Sequence, residues 1–234
     1  MALIVLLASL VALPQLGTGG PTDAPPALWE RIASEDSVTA KEAEQEYSQL
    51  REKIIAAEAG VLRDYLTEGT RSVDEQEHGR IDRAARAIRM LGELRAESEI
   101  PLLTEFLMFS TRDGNNFTIR IPPTGRIEEV YGLYPAINAL AKMGKQSIAA
   151  CVIAVRDLPK VSMMTGDYEQ YLAGARIVAF RRHAALAIVG IAGRPAAEAA
   201  LNEFAKNAGD EKDRNAASNL LLGIHLIFSP EPES

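Results

Sequence analysis

Three histidines, His78, His183 and His225, and one cysteine, Cys151, are the side chains of this chain best suited to metal ligation or nucleophilic attack. A zinc site draws its ligands in close pairs. These histidines stand far apart, and none has a histidine four residues away or lies in an HExxH motif. Cys151 lies in SIAACVIAV, one turn from Ile148 and Val155, which predicts a buried core thiol in place of a nucleophile. A single cysteine also excludes an intrachain disulfide. There is no G-x-S-x-G elbow, Walker loop, G-x-G-x-x-G fingerprint or CxxC pair. The acid pairs Glu128-Glu129 and Asp210-Glu211 fall at expected helix starts, where carboxylates favour the positive end of the dipole. No residue is therefore assigned to catalysis, to a cofactor or to a metal.

Binding chemistry is more evident between Ser110 and Arg126, the longest break in helical pattern within the C-terminal two thirds of the chain. Turn-forming Asp113-Gly114 precedes Phe117, Ile119 and Ile121, which alternate with Thr118 and Arg120 as in a strand. A loop or small hairpin is expected here, with Arg112, Asp113, Asn115, Asn116, Phe117 and Arg120 as the candidate partner-binding residues. Such a strand offers main-chain hydrogen bonds to an extended peptide. The alternative is that Phe117, Ile119 and Ile121 pack back as a lid.

The elements that would position this segment are helices with a shared signature. The clearest stretch is RRHAALAIVGIAGRPAAEAALNEF, from Arg181 to Phe204: an alanine-rich helix, a glycine break, then a helix opened by a proline. Superposing Gly92, Gly144, Gly190 and Gly223 reveals weaker relatives. Each glycine follows an apolar residue (Leu91, Met143, Val189, Leu222) and stands five residues after a small one (Ala87, Ala139, Ala185, Ser218). Arginine lies nine residues before three of them, at Arg83, Arg181 and Arg214, with Pro135 in the remaining copy. The small residue allows close helix approach, and the glycine is expected to end the helix in a left-handed conformation.

The runs RAARAIRMLG from Arg83 and RNAASNLLLG from Arg214 resemble the HEAT repeats, particularly the short variety named for the phycobilisome lyases. The resemblance covers roughly residues 80 to 228. It implies an all-α, right-handed HEAT-like solenoid of about four helical pairs. It also implies that the repeat arginines bond to acids or carbonyls of the adjacent repeat, a reading favoured here over a basic row for anionic partners. The departures are Pro135 in the second copy, and Asn219 in the fourth where the others have Ile or Leu.

Around this region the chain divides by composition. Ala2 to Leu13 form an apolar run in an uncharged stretch of 22 residues, the size of a signal-peptide core and shorter than a membrane span. Residues 1–20 are thus expected to be a signal peptide or membrane tether, 21–36 a linker with Trp29 docking on the first long helix, and 229–234 a disordered tail. Thr39 and Glu42 suggest a capping box for a helix to about Thr67, striped by Tyr47, Leu50, Ile54, Ala57, Val61 and Tyr65, which would cap the repeats. Further helices are expected from Asp74 to Arg95 with Ile81, Ala84, Ile88 and Leu91 inward, and from a Ser98 cap through IPLLTEFLMF. Others should run from Glu128 to Met143, Lys145 to Arg156, Tyr168 to Val189, and from Asp210 or Asp213 onward.

With 25 basic against 32 acidic residues and a net charge of −7, the chain lacks the footprint of a nucleic-acid binder. The expected function is a non-catalytic protein-protein interaction scaffold, exported, without cofactor, binding a protein or extended peptide and touching a membrane only through an uncleaved N-terminal segment. The alternative implied by the resemblance is a lyase that attaches a tetrapyrrole chromophore to a partner protein.

Overall fold

A computed structural model describes residues 28–32, 34, 37–68, 75–112, 114, 127–158 and 168–228. The expected signal segment, most of the linker, the alternating run Phe117 to Ile121 and the C-terminal tail lie outside the described residues, as does the side chain of Trp29. All regular structure among the described residues is helical. The helices are α1 (Leu28–Ile32), α2 (Ser37–Glu68), α3 (Glu75–Glu93), α4 (Ile100–Glu105, after a short 3-10 turn), α5 (Ile127–Leu133), α6 (Pro135–Met143), α7 (Gln146–Arg156), α8 (Tyr168–Ala192), α9 (Arg194–Asn207) and α10 (Glu211–Phe228).

Two compact units divide the chain after Ala56. In the first, Arg31 of α1 donates to Glu46 of α2 at 2.7 Å. Helix α2 begins at Ser37, so Thr39 and Glu42 sit inside its first turns and not at its start. Of the expected stripe Tyr65 is buried, Tyr47, Leu50, Ile54 and Val61 are half-buried and Ala57 is exposed; the other buried residues are Ala43, Ile55, Ala59 and Leu62, of which Ile55 and Leu62 stand one position on from the stripe. Two adjacent rows of apolar residues run along this helix, and periodicity alone did not choose between them.

In the second unit the four glycine-bearing copies become α3, α6, α8 and α10, each touching the next. Ile81, Ala84, Ile88 and Leu91 of α3 are buried as the pattern required, each large one contributing about 1.5–3 kcal/mol by leaving water. Helix α7 touches α4, α6, α8 and α10. It buries Ser147, Cys151, Val152 and Val155, while Ala149 and Ile153 remain exposed. The single helix expected over Glu128 to Met143 is interrupted at Tyr134, because Pro135 has no N–H to continue it and instead opens α6. Ser98 lies in the 3-10 turn and caps nothing; Glu99 precedes α4, which ends at Glu105.

The glycines act differently from expectation. Only Gly144 has a positive φ, 89°, and ends its helix. Gly92, Gly190 and Gly223 lie within α3, α8 and α10, and the break after α8 comes at Gly193, φ 75°. A Cβ on Gly92 would lie 2.8 Å from both Cα and Cβ of Ala139 on α6. One on Gly190 would meet Ala141 of α6 at 3.3 Å and the Tyr131 hydroxyl, and one on Gly223 would meet Ala185 of α8 at 3.2 Å. The first and last contacts along the row are thus made where glycine faces alanine, the middle one also takes in the Tyr131 phenol, and at each the absent Cβ allows the close approach.

Gly92→Ala should therefore lower stability by about 1–3 kcal/mol through overpacking against backbone, although alanine is the better helix former. Gly60 of α2, with nothing within 4 Å of its added Cβ, provides the contrast. Gly60→Ala should raise stability by about 0.5–1 kcal/mol. Thermal unfolding of the two variants checks this; a stabilised Gly92→Ala would refute the close crossing.

Candidate functional site

The root of the predicted binding segment is tightly held. Ser110 and Gly114 exchange backbone hydrogen bonds at 3.2 and 2.9 Å, the Thr111 N–H donates to Leu133 O at 2.9 Å, and the Arg112 N–H donates to Ser110 Oγ at 3.1 Å. Gly114 has φ 75°, and its missing Cβ would stand 2.7 Å from the Tyr65 hydroxyl. Beneath it Tyr65, Phe106 and Phe109 pack edge-on or tilted, with centroids 5.4 to 5.9 Å apart. Ser110 and Gly114 are buried, and Arg112 is exposed. Of the other candidates, Asp113, Asn115, Asn116, Phe117 and Arg120 lie outside the described residues.

A cleft of about 1030 Å³ opens instead between the end of α7 and the faces of α8 and α10. Helix α8 lines it with Gly174, Ile177, Val178 and Arg181, one turn above another. Helix α10 contributes Glu211, Lys212, Asn215, Ala216 and Asn219, and α7 contributes Val155 and Arg156 before Asp157 and Leu158. Asp210 at its edge accepts the Asp213 N–H at 2.8 Å and so caps α10, as its position in the sequence suggested.

The charges of the cleft are unequally satisfied. Arg156 donates to both carboxylate oxygens of Asp157, at 2.8 and 3.1 Å, and more weakly to Asp213 at 3.4 Å. The hydrogen bond from Arg156 holds the Asp157 carboxyl below its usual range. Arg181 is half-buried, and among the described residues its Nε has no hydrogen-bond partner and no carboxylate pairs with it. Burial alone lowers its pKa.

The expected bridging by repeat arginines is thus uneven. Arg83 is exposed and acts on Glu58, whose pKa is raised because burial outweighs the opposing pull of Arg83 and Arg86. Arg214 donates to Ala208 O at 3.2 Å, just before its own helix. Asp213 turns to Arg156 of α7. Sequence reasoning noticed Asn219 as a break in the repeat and did not recognise it as part of a cleft.

Cys151 is buried, and desolvation pushes its thiol up to about 12, which removes the thiolate a nucleophile needs. Among the described residues no group of three or more His, Cys, Asp or Glu could hold a metal ion. His78 and His225 are exposed, and His183 is fully buried. The His183 Nδ1 lies 2.7 Å from Ala179 O; a carbonyl can only accept, so Nδ1 carries the proton. Its ring packs edge-on to Tyr134 with centroids 4.5 Å apart. Comparison with protein-family models, curated proteins and solved structures finds no match to this chain.

Desolvation holds His183 near 4, below its usual 6.5. The unfolded chain therefore takes up the proton first, and stability is lost as pH falls from about 6.5 to about 4. The loss should be on the order of 3 kcal/mol. His183→Gln, which does not titrate, should flatten the pH dependence of the unfolding free energy over that window relative to the native chain. Parallel curves would show that His183 is not buried as a neutral ring.

Proposed function

We propose that the chain is a non-catalytic protein-interaction scaffold built as a HEAT-like, right-handed α-solenoid, with α2 as its N-terminal cap helix. The observation that carries this reading is a row of close crossings from α3 to α6, α6 to α8 and α8 to α10, glycine on alanine at the first and last and glycine on Tyr131 and Ala141 at the middle one. A unit repeated with constant small-residue contacts builds an extended surface, and surfaces of that kind suit extended partners. Helix α7 touches α10 as well as α8, and this is the irregular part of the array. The step from array to scaffold is made by fold analogy.

A surface for the partner is offered by α10, the last helix of the row. Leu222 and Leu226 stand one turn apart there and are 56% and 55% exposed. Two leucines in line on an outer helix face suit the apolar side of a docking segment. The partner class is a protein or extended peptide; the net charge of −7 speaks against nucleic acid. The uncharged apolar stretch at the N-terminus supports export. Among the described residues no single helix is long and apolar enough to cross a membrane.

Affinity capture by the purified chain from the exported fraction of its host tests the reading. At least one partner held by the native chain should be lost by the Leu222→Ser, Leu226→Ser double variant, with circular dichroism and melting temperature preserved. Identical captured sets would contradict the docking face, and an absorption band on incubation with a tetrapyrrole would favour the lyase alternative.

A further inference from the structure

The cleft between α7, α8 and α10 combines a half-buried arginine that has no partner among the described residues, two amides and an apolar wall. We propose that it binds a monocarboxylate with an apolar body, Arg181 being the anchor for the carboxylate and Asn215 and Asn219 its amide partners. This goes beyond the scaffold reading, since a free acid would satisfy the cleft as well as a chain terminus would.

The first ground is Arg181 itself. A half-buried guanidinium has given up part of its hydration, and without a hydrogen bond or an ion pair among the described residues nothing has replaced it. The planar fork of five donors matches a carboxylate closely, and a ligand oxygen would supply what the fold does not. The neighbouring Arg156 is already occupied by Asp157 and Asp213 and does not compete.

The second ground is independent and lies in the repeat. Four residues before the signature glycine the other copies have Ile88, Leu140 and Leu186, all fully buried. In α10 that place belongs to Asn219, which lines the cleft with Arg181. Replacing a core leucine with an amide gives up apolar burial, and a polar group facing the cleft is what replaces it. Asn215, one turn earlier on the same face, adds a second amide.

Ligand charge and shape follow from the remaining lining. Apart from Arg181 the lining sets Asp157, Asp210 and Glu211 against Arg156 and Lys212, an excess of one negative charge, which opposes a phosphate dianion more than a single carboxylate. Val155, Ile177 and Val178 form an apolar wall, so the acid should carry a hydrocarbon portion. Two sources present that chemistry: a free aliphatic acid, and the C-terminus of a chain ending in an apolar residue.

Isothermal titration of the full chain distinguishes them, using octanoate, a short N-acetylated peptide ending in leucine with a free C-terminus, the same peptide amidated, and inorganic phosphate. At least one free acid should bind, and the stronger of the two identifies the source. Amidation should abolish binding of the peptide if that is the ligand, and phosphate should bind more weakly than the preferred acid. Arg181→Gln should weaken binding by at least about tenfold, the loss expected for a hydrogen bond to a charged group. Asn219→Leu, which restores the repeat residue, should weaken binding while leaving the melting temperature unchanged or higher. If Arg181→Gln unfolds, the Arg181 Nε–H resonance of the native chain serves instead, and it should shift on saturation. The proposal is overturned if neither acid binds, if phosphate or the amidated peptide binds as well, if the folded Arg181→Gln or Asn219→Leu variant retains full affinity, or if the Arg181 resonance stays in place.

Discussion

The distance between helix axes at three successive crossings is the constraint on which the second unit depends. Gly92 on Ala139 and Gly223 on Ala185 bring backbones together with almost no side chain between them, and at Gly190 the Tyr131 phenol fits in beside Ala141. At such short separations the flanking apolar residues interdigitate fully, which is why Ile88, Leu91, Leu140, Leu186 and Leu220 reach complete or near-complete burial. A methyl group at one crossing would push two helices apart along their length, so a single position governs many contacts.

The same spacing explains where polarity is tolerated. Helices that meet closely at the glycine must diverge elsewhere, and toward the N-terminal ends of α8 and α10 the structure opens into the cleft. Arg181 and Asn219 line it from beside the Gly223 crossing, the Arg181 carbonyl oxygen lying 3.5 Å from where a Gly223 Cβ would stand. At the opposite end α9 and α10 are tied by charge. Arg194 donates to the terminal carbonyl of Phe228 at 3.1 Å and stacks on its ring at 5.8 Å, placing a cation at a helix C-terminus where the dipole favours it. A further tie, from Lys142 to Glu93, joins α6 to α3 beside the Gly92 crossing.

Much of this was legible in the sequence, and the parts that were not have identifiable causes. The glycine and small-residue register located the four helices of the row, because close packing imposes composition at fixed spacing. It misassigned the glycines' role, since a glycine that ends a helix and one that lets another helix approach look alike in a single chain; only Gly144 is of the first kind. Helix ends were less readable. Ser98 has a capping side chain but does not cap, Thr39 lies inside its helix instead of before it, and Pro135 broke a helix that periodicity had run through. The cleft escaped detection because its parts come from three helices well separated in sequence, from Val155 to Asn219, and converge only through the fold. Asn219 was its one visible trace.

The crossings themselves can be observed without altering a residue. In a sample with labelled alanine methyl groups, nuclear Overhauser spectra should show strong cross-peaks from the Gly92 Hα protons to the Ala139 methyl and from the Gly223 Hα protons to the Ala185 methyl. Intense cross-peaks at both pairs are the expected result. Their absence, with the alanine methyls instead contacting long side chains, would contradict a row of helices spaced by glycine on alanine.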